Sequence, residues 1–232
     1  GINPKVEMKD TDVKWIGKIP KHWKLKKLKH IVNKRGLIRG PFGGSLKINT
    51  FVPKGYKVYE QKNAIYDNFS LGSAYINDKK YTELKRFSIQ QNDILMSCSG
   101  TIGKTSLVIG EFQKGIINQA LLIIRLEFPK KTLPKYIQTI FSSSFFQEQV
   151  IDNSQGGAMK NLVGIDIFKN VKIPIPDSLE QLEIQSYIDS KCLILDKLIT
   201  KEKLKVEKLK EYCQSLTSSV VTGKVRISED MV

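Results

Sequence analysis

An apolar ladder runs down the last quarter of the chain. Ile188, Cys192, Leu195, Ile199, Glu202, Val206, Leu209, Cys213, Leu216 and Val220 follow one another at alternating spacings of four and three. Nine of these ten positions are apolar, and Glu202 alone interrupts them. Strict alternation of this kind marks the narrow seam of a coiled coil rather than the wider stripe with which a globular helix covers a core. Pro174 and Pro176 precede the ladder, and the pairs Asp177/Glu180 and Ser178/Gln181 both have capping-box spacing. The sequence therefore predicts a helix that starts near Ser178 and stops at Gly223. Such a helix is roughly 60 Å long, more than a domain of this size is wide. No second helix of that length is encoded here, so the seam is expected to meet another chain or a part of the protein outside this sequence.

The remaining residues leave room for one domain with a core. A mean hydropathy of −0.24 and a 41% apolar share are those expected of a soluble protein. No stretch has the length of a membrane span or the pattern of a signal peptide. Cys98, Cys192 and Cys213 show no metal-ligand spacing, and the two on the ladder read as small buried hydrophobes. With only two histidines, the expectation is a reducing cytoplasm and no metal site. The net charge of +15 is unevenly placed, because Val13 to Tyr59 holds thirteen Lys or Arg and not one Asp or Glu. Unrelieved repulsion over such a stretch favours a polyanionic partner, and nucleic acid is the expected one. A membrane surface would call for a basic amphipathic helix with aromatic anchors, which is missing from the sequence.

Residues 1–14 read as a linker, 15–173 as a globular domain, 174–223 as the long helix and 224–232 as a tail. Within the domain, β-like runs are predicted at Tyr56–Tyr59, Asp93–Ser97, Ser106–Ile109, Ile116–Leu126 and Val171–Ile175, with helical character over Leu133–Val150. The fold class expected is mixed α/β, with a long C-terminal coiled-coil helix appended.

No catalytic constellation emerges. Gly100-Thr-Ile-Gly103-Lys104-Thr105 lacks the first P-loop glycine, since residue 98 is Cys, and a strand rather than a helix is predicted to follow. Pro176-Asp177 with Asp189-Ser-Lys191 has loose nuclease spacing, but residues two apart on a helix point to different sides. No Pro-Pro motif for a target amine is present, and His22 and His30 both lie in the lysine-rich segment. What remains are glycine-containing polar loops suited to a polyanion: Arg39–Lys47, Ser99–Lys104 and Gln155–Asn161. Lys34, Arg35, Arg39 and Lys47 are the candidates for phosphate neutralisation. Lys62, Asn63, Ser99, Thr101, Lys104, Gln155, Lys160 and Asn161 complete the candidate DNA-binding set.

The order of motifs along the chain resembles that of a known family. Trp15-Ile-Gly17-Lys-Ile-Pro20-Lys-His-Trp23 comes first, then Gly40-Pro-Phe-Gly-Gly-Ser45-Leu-Lys47. Asp93-Ile-Leu-Met-Ser97, Gly100-Thr-Ile-Gly-Lys104 and Ile117-Asn-Gln-Ala120 follow. Gly156-Gly157, Ile173-Pro-Ile-Pro176 with Glu180-Gln181, and Val221-Thr-Gly-Lys-Val225 close the series. It resembles the specificity (S) subunit of type I restriction–modification systems. That resemblance implies a target-recognition domain reading one half of a split DNA site, and a helix that packs antiparallel on a second such helix as a spacer. It also implies methyltransferase (M) and restriction (R) subunits as partners. S-adenosylmethionine would be bound by M, and the S subunit would have no enzymatic activity of its own. With one recognition domain and one helix, the chain corresponds to half an S subunit. Gly1-Ile-Asn-Pro4 with Met8-Lys-Asp10 resembles the junction between halves, so the second half of a longer subunit is expected. The alternative is a natural half-length subunit that homodimerises and reads a symmetric site. A different class of function, a coiled-coil assembly protein with incidental basic charge, predicts no binding to random DNA even at low salt.

Overall fold

The computed structural model describes residues 5–127, 133–152 and 161–225, which form two compact units divided between Gln185 and Ser186. The first unit begins with a hairpin of β1 (Met8–Asp10) and β2 (Lys18–Pro20), so part of the stretch read as linker is paired strand. After β3 (Lys24–Lys27) comes β4 (Val32–Arg39). Next are β5 (Phe51–Val52), β6 (Tyr56–Tyr59), α1 (Gln61–Ile65), β7 (Tyr75–Ile76) and α2 (Asp78–Glu83). The middle of the chain supplies β8 (Ile94–Ser97), β9 (Thr105–Leu107), β10 (Gly115–Ile117) and β11 (Leu121–Leu126). It is followed by α3 (Pro134–Ser142), α4 (Ser144–Val150), β12 (Ile151–Asp152), β13 (Asn161–Leu162), α5 (Ile165–Phe168), β14 (Lys172–Ile175) and α6 (Ser178–Val221).

The central sheet has the order β4-β11-β8-β9 and is antiparallel throughout. Alternate residues of a strand point to opposite faces, and here both faces are covered. Ile94, Met96, Leu122 and Ile124 join a core with Tyr136, Phe141, Phe146 and Phe168 of α3, α4 and α5. On the other face, Ile38, Leu95, Leu121 and Ile123 pack with Tyr59, Ala64 and Ile117 from the β6–α1 and β10 segments. Burial on two sides explains why Leu121–Leu126 reads as a continuous apolar run rather than an alternation. Its one polar member, Arg125, lies over the end of β8. Its guanidinium donates to both carboxylate oxygens of Asp93 at 2.7 and 2.8 Å and to the Ser88 carbonyl at 3.0 Å. Burial still raises the Asp93 carboxyl above its ordinary range, against the pull of Arg125.

The single run expected over Ile116–Leu126 is two strands in two sheets. Asn118 Oδ1 accepts a bond from Ala120 N at 3.0 Å and turns the chain between them. β10 then pairs parallel with β6, while β11 pairs with β4 and β8. The helix expected over Leu133–Val150 is broken at Ser143, which has extended backbone at φ −72° and ψ 141°.

Helix α6 starts where the spacing predicts. Asp177 Oδ1 accepts from Glu180 N at 2.9 Å, but the reciprocal half of each capping box is diverted. The Glu180 carboxylate takes the indole N–H of Trp23 and lies against His22 Nε2, both at 2.8 Å. Gln181 accepts from Leu133 N at 2.8 Å and donates to Pro176 O at 2.9 Å. Gln181 and Gln185 continue the ladder's phase backwards and are buried within the first unit. The helix ends at Gly223, in the left-handed region at φ +72°, with Lys224 N bonded to Ser219 O at 2.8 Å.

The second unit contains the rest of α6, and its seam is open. Leu195 is 56% exposed and Leu209 60%, with Ile199, Val206 and Leu216 similar, while Ile188 and Val220 are partly covered. Cys192 and Cys213, read as buried, are exposed in this chain. Among the described residues no helix is long and apolar enough to cross a membrane.

Candidate nucleic-acid interface

Four strand ends meet along one rim of the first unit. β4 and β8 both run antiparallel to β11, which puts Arg39 opposite Leu122 and Ser97 opposite Leu121 at the same edge. β6 and β10 are parallel and finish together, with Asn118 N bonded to Tyr59 O at 2.9 Å. The emerging loops are stitched to one another: Gly40 N donates to Leu121 O at 3.0 Å, and Cys98 N to Ala120 O at 2.8 Å. A Cβ at residue 40 would lie 1.8 Å from the Asn118 carbonyl oxygen, so only glycine permits this approach. Residues 40–47, 60–63, 98–104 and 118–120 thus leave the scaffold side by side.

The Ser99–Lys104 loop connects β8 to β9. Ile102 is buried and pins the loop from beneath, Gly100 and Gly103 take positive φ, and Thr101 and Lys104 face solvent. Lys104 N is bonded to Ser97 Oγ at 3.0 Å, which fixes the base of the loop, and Ser99 is half-buried there. Leu162 N reaches Cys98 O at 3.4 Å, so the backbone of β13, which begins at Asn161, runs beside this loop. Burial pushes the Cys98 thiol up to about 12, although the nearby Arg39 charge pulls the other way.

Arg39 ends β4 half-buried, its guanidinium 5.7 Å from the centre of the exposed Phe42 ring. Lys47 is exposed at the far end of the same loop. Lys62 is paired with Glu60 at 2.6 Å. Three of the sequence-derived candidates need correction or relocation. Asn63 is fully buried, with Oδ1 accepting from Glu60 N and Nδ2 donating to the Asn68 and Leu71 carbonyls, all at 2.8 Å. Its amide holds α1 and the following loop and has nothing left to offer a base. Lys34 and Arg35 are exposed on β4, but in the bulge between the Val32–Leu126 and Leu37–Ile124 pairs rather than at the strand end that Arg39 occupies. Gln155 and Lys160 lie outside the described residues, as does the side chain of Asn161.

Two rim residues escaped the sequence reading. Gln61 sits near Gly100, and its Oε1 is buried without a hydrogen-bond partner among the described residues. Its only signal is a position directly after the Tyr56–Tyr59 strand. Arg86 carries none, because topology alone brings residue 86 beside residue 39. The rim as a whole is cationic and rich in donors, suited to phosphate neutralisation and to hydrogen bonding with base edges. Among the described residues no group of three or more His, Cys, Asp or Glu could hold a metal ion.

Residues 20–208 match the family described as the type I restriction modification DNA specificity domain. The chain belongs to that family. This specificity domain is 30% identical over 195 residues to the type I restriction enzyme MjaIX specificity subunit of Methanocaldococcus jannaschii, a match covering 79% of this chain and 41% of that protein. The MjaVIII specificity subunit of the same organism is 27% identical over 232 residues, covering 91% and 48%. The chain therefore spans less than half the length of these relatives. Its fold is shared with a chain from a structure addressing complex assembly and conformational transition of the type I R-M system. There the TM-score is 0.67 at 16% identity, over 87% of this chain and 46% of that one. The HsdS subunit from Thermoanaerobacter tengcongensis has a TM-score of 0.55 at 15% identity, over 79% and 39%. Mixed strands and helices followed by a long helix are thus the architecture of this specificity domain and of its structural neighbours.

Proposed function

We propose that this specificity domain reads one half of a bipartite DNA sequence as the non-catalytic recognition part of a cytoplasmic type I restriction–modification complex. The observation that carries the reading is the rim itself. Arg39, Lys47, Thr101 and Lys104 emerge side by side from a scaffold whose residues 13–59 contain thirteen basic and no acidic side chains. The basic residues neutralise phosphates and set register, and polar loop residues read base edges, each good bidentate pair contributing about 1–3 kcal/mol of discrimination. Methylation and cleavage belong to the M and R partners, with S-adenosylmethionine used by M.

Helix α6 serves this reading as a spacer that pairs antiparallel with a second helix of its kind. Antiparallel seams set one apolar position against the other type of the facing helix, and the ladder is self-complementary in that sense. Ile188 faces Val220, Cys192 faces Leu216, Leu195 faces Cys213, Ile199 faces Leu209 and Glu202 faces Val206 of a second copy. The same register sets Asp196 by Lys210 and Leu198 by Tyr212 along the flanks.

Selection of bound duplexes from a random library by the chain together with its methyltransferase partner tests the proposal. The expected result is a short conserved half-site, repeated symmetrically if two copies pair through α6. An enriched pool with no shared sequence would sink it. The scaffold reading predicts instead no binding to any duplex at low salt.

A further inference from the structure

Beside the rim, Leu37, Arg39, Phe42, Arg86, Phe87 and Ile165 line a cavity of about 430 Å³. Two guanidiniums enter it from separate parts of the chain. Arg39 lies over Phe42, and Arg86 lies 5.9 Å from the centre of the Phe87 ring. Neither makes a hydrogen bond or ion pair with a described residue, and Arg39 Nε is buried with no partner. Arg125 shows the contrast within the same sheet, its N–H groups taken up by Asp93 and Ser88. Among the described residues no carboxylate lines the cavity. An aromatic face beneath a guanidinium restrains its plane and leaves the N–H edge free, and that edge matches the oxygens of a phosphate bidentately. The remaining walls are apolar, with Phe42 67% and Ile165 39% exposed. A free anion gains nothing from such walls, whereas a phosphate attached to deoxyribose fills them.

We infer that this cavity is a socket for one backbone phosphate of the bound duplex, gripped jointly by Arg39 and Arg86, with its sugar against Phe42 and Ile165. The inference rests on the DNA-reading proposal and adds a single fixed point from which the rim loops are registered. Its test is equilibrium binding of the chain to a random-sequence duplex over a series of salt concentrations. The proteins compared are the unmodified chain, Arg39→Lys, Arg86→Lys, both together, and Arg86→Ala, each checked by thermal melting for an intact fold. Each lysine variant keeps the charge but loses the fork, and is expected to bind about tenfold more weakly. Arg86→Ala also flattens the slope of log affinity against log salt by about one. Because both forks hold the same phosphate, the double lysine variant should lose about tenfold rather than the hundredfold of independent contacts.

Lysine variants that bind like the unmodified chain would reduce the site to diffuse charge, and losses that multiply would split it into two contacts. Either result overturns the socket while leaving DNA binding intact. No binding by the unmodified chain at the lowest salt would instead overturn the DNA-reading proposal itself. In a further arm, inorganic phosphate replaces chloride at equal ionic strength. Competition by phosphate at micromolar concentration would assign the cavity to the free ion and also overturn the inference.

Discussion

The buried amide of Asn63 closes three hydrogen bonds, with Glu60 N and with the Asn68 and Leu71 carbonyls. Asn63→Ala removes three part-buried hydrogen bonds and is expected to cost about 1–3 kcal/mol. Urea unfolding should show this as a lower midpoint with an unchanged slope, and a variant as stable as the original would remove Asn63 from its structural role. Cys98 makes a second prediction. Its folded thiol is raised to about 12 from an ordinary value of 9.0, chiefly by burial. Between those values the unfolded chain gives up a proton that the folded chain keeps. Stability is therefore full below pH 9 and falls as pH rises toward 12. Cys98→Ala should flatten the decline between pH 9 and 11 by about 1.4 kcal/mol per pH unit. The part that remains above pH 10 belongs to buried tyrosines, Tyr59, also raised to about 12 by burial, and Tyr136, raised by the same cause. A slope indifferent to the substitution would contradict the assignment.

Among the elements, α6 is the one its sequence specifies almost completely. Seam, start and stop are all local patterns, and the helix runs from Ser178 to Val221 with Gly223 behind it. The pairing register is testable through its cysteines. In the antiparallel arrangement Cys192 faces Leu216, so the unmodified chain should not cross-link on oxidation. Leu195→Cys, opposite Cys213 of a second copy, should give a disulfide-linked dimer on a non-reducing gel. A dimer formed by the unmodified chain would mean a parallel pairing with Cys192 against Cys192. Elements whose identity depends on distant partners were harder to read. β4 is the edge of the central sheet, yet Lys34, Arg35 and Gly36 in its middle mask it as basic loop. Ile116–Leu126 looked like one strand because nothing in its apolar composition reveals that its two ends pair in different sheets. Only the side chain of Asn118, an ordinary turn residue, marks the division.

At the scale of the molecule, the mixed fold, the appended helix and the family were legible because each rests on order along the chain. The rim was legible in part. Arg39–Lys47 and Ser99–Lys104 announce themselves by glycine and charge, and the strands on which they ride deliver them to one edge. Gln61 and Arg86 join that edge only through strand pairing, which no local pattern encodes. A duplex that binds the folded chain and not the unfolded one must stabilise it by mass action. At a duplex concentration one hundred times Kd the gain should be about 2.7 kcal/mol. Calorimetry in low salt should show the melting temperature rising with added random duplex, and the rise should vanish in high salt as counterion release loses its drive. A shift that persists in high salt would mean that phosphate contacts are not what holds the duplex.

The bond from Trp23 to Glu180 also makes the chain its own optical gauge. The protein has two tryptophans, and Trp23 is 8% exposed with its indole fixed to the first turn of α6. Trp15→Phe would leave all tryptophan emission in that one ring, so its colour would register whether the helix start is seated. In that background Glu180→Ala should shift the emission to the red while far-ultraviolet circular dichroism stays helical. Blue emission unchanged by the substitution would mean that packing alone keeps the ring dry.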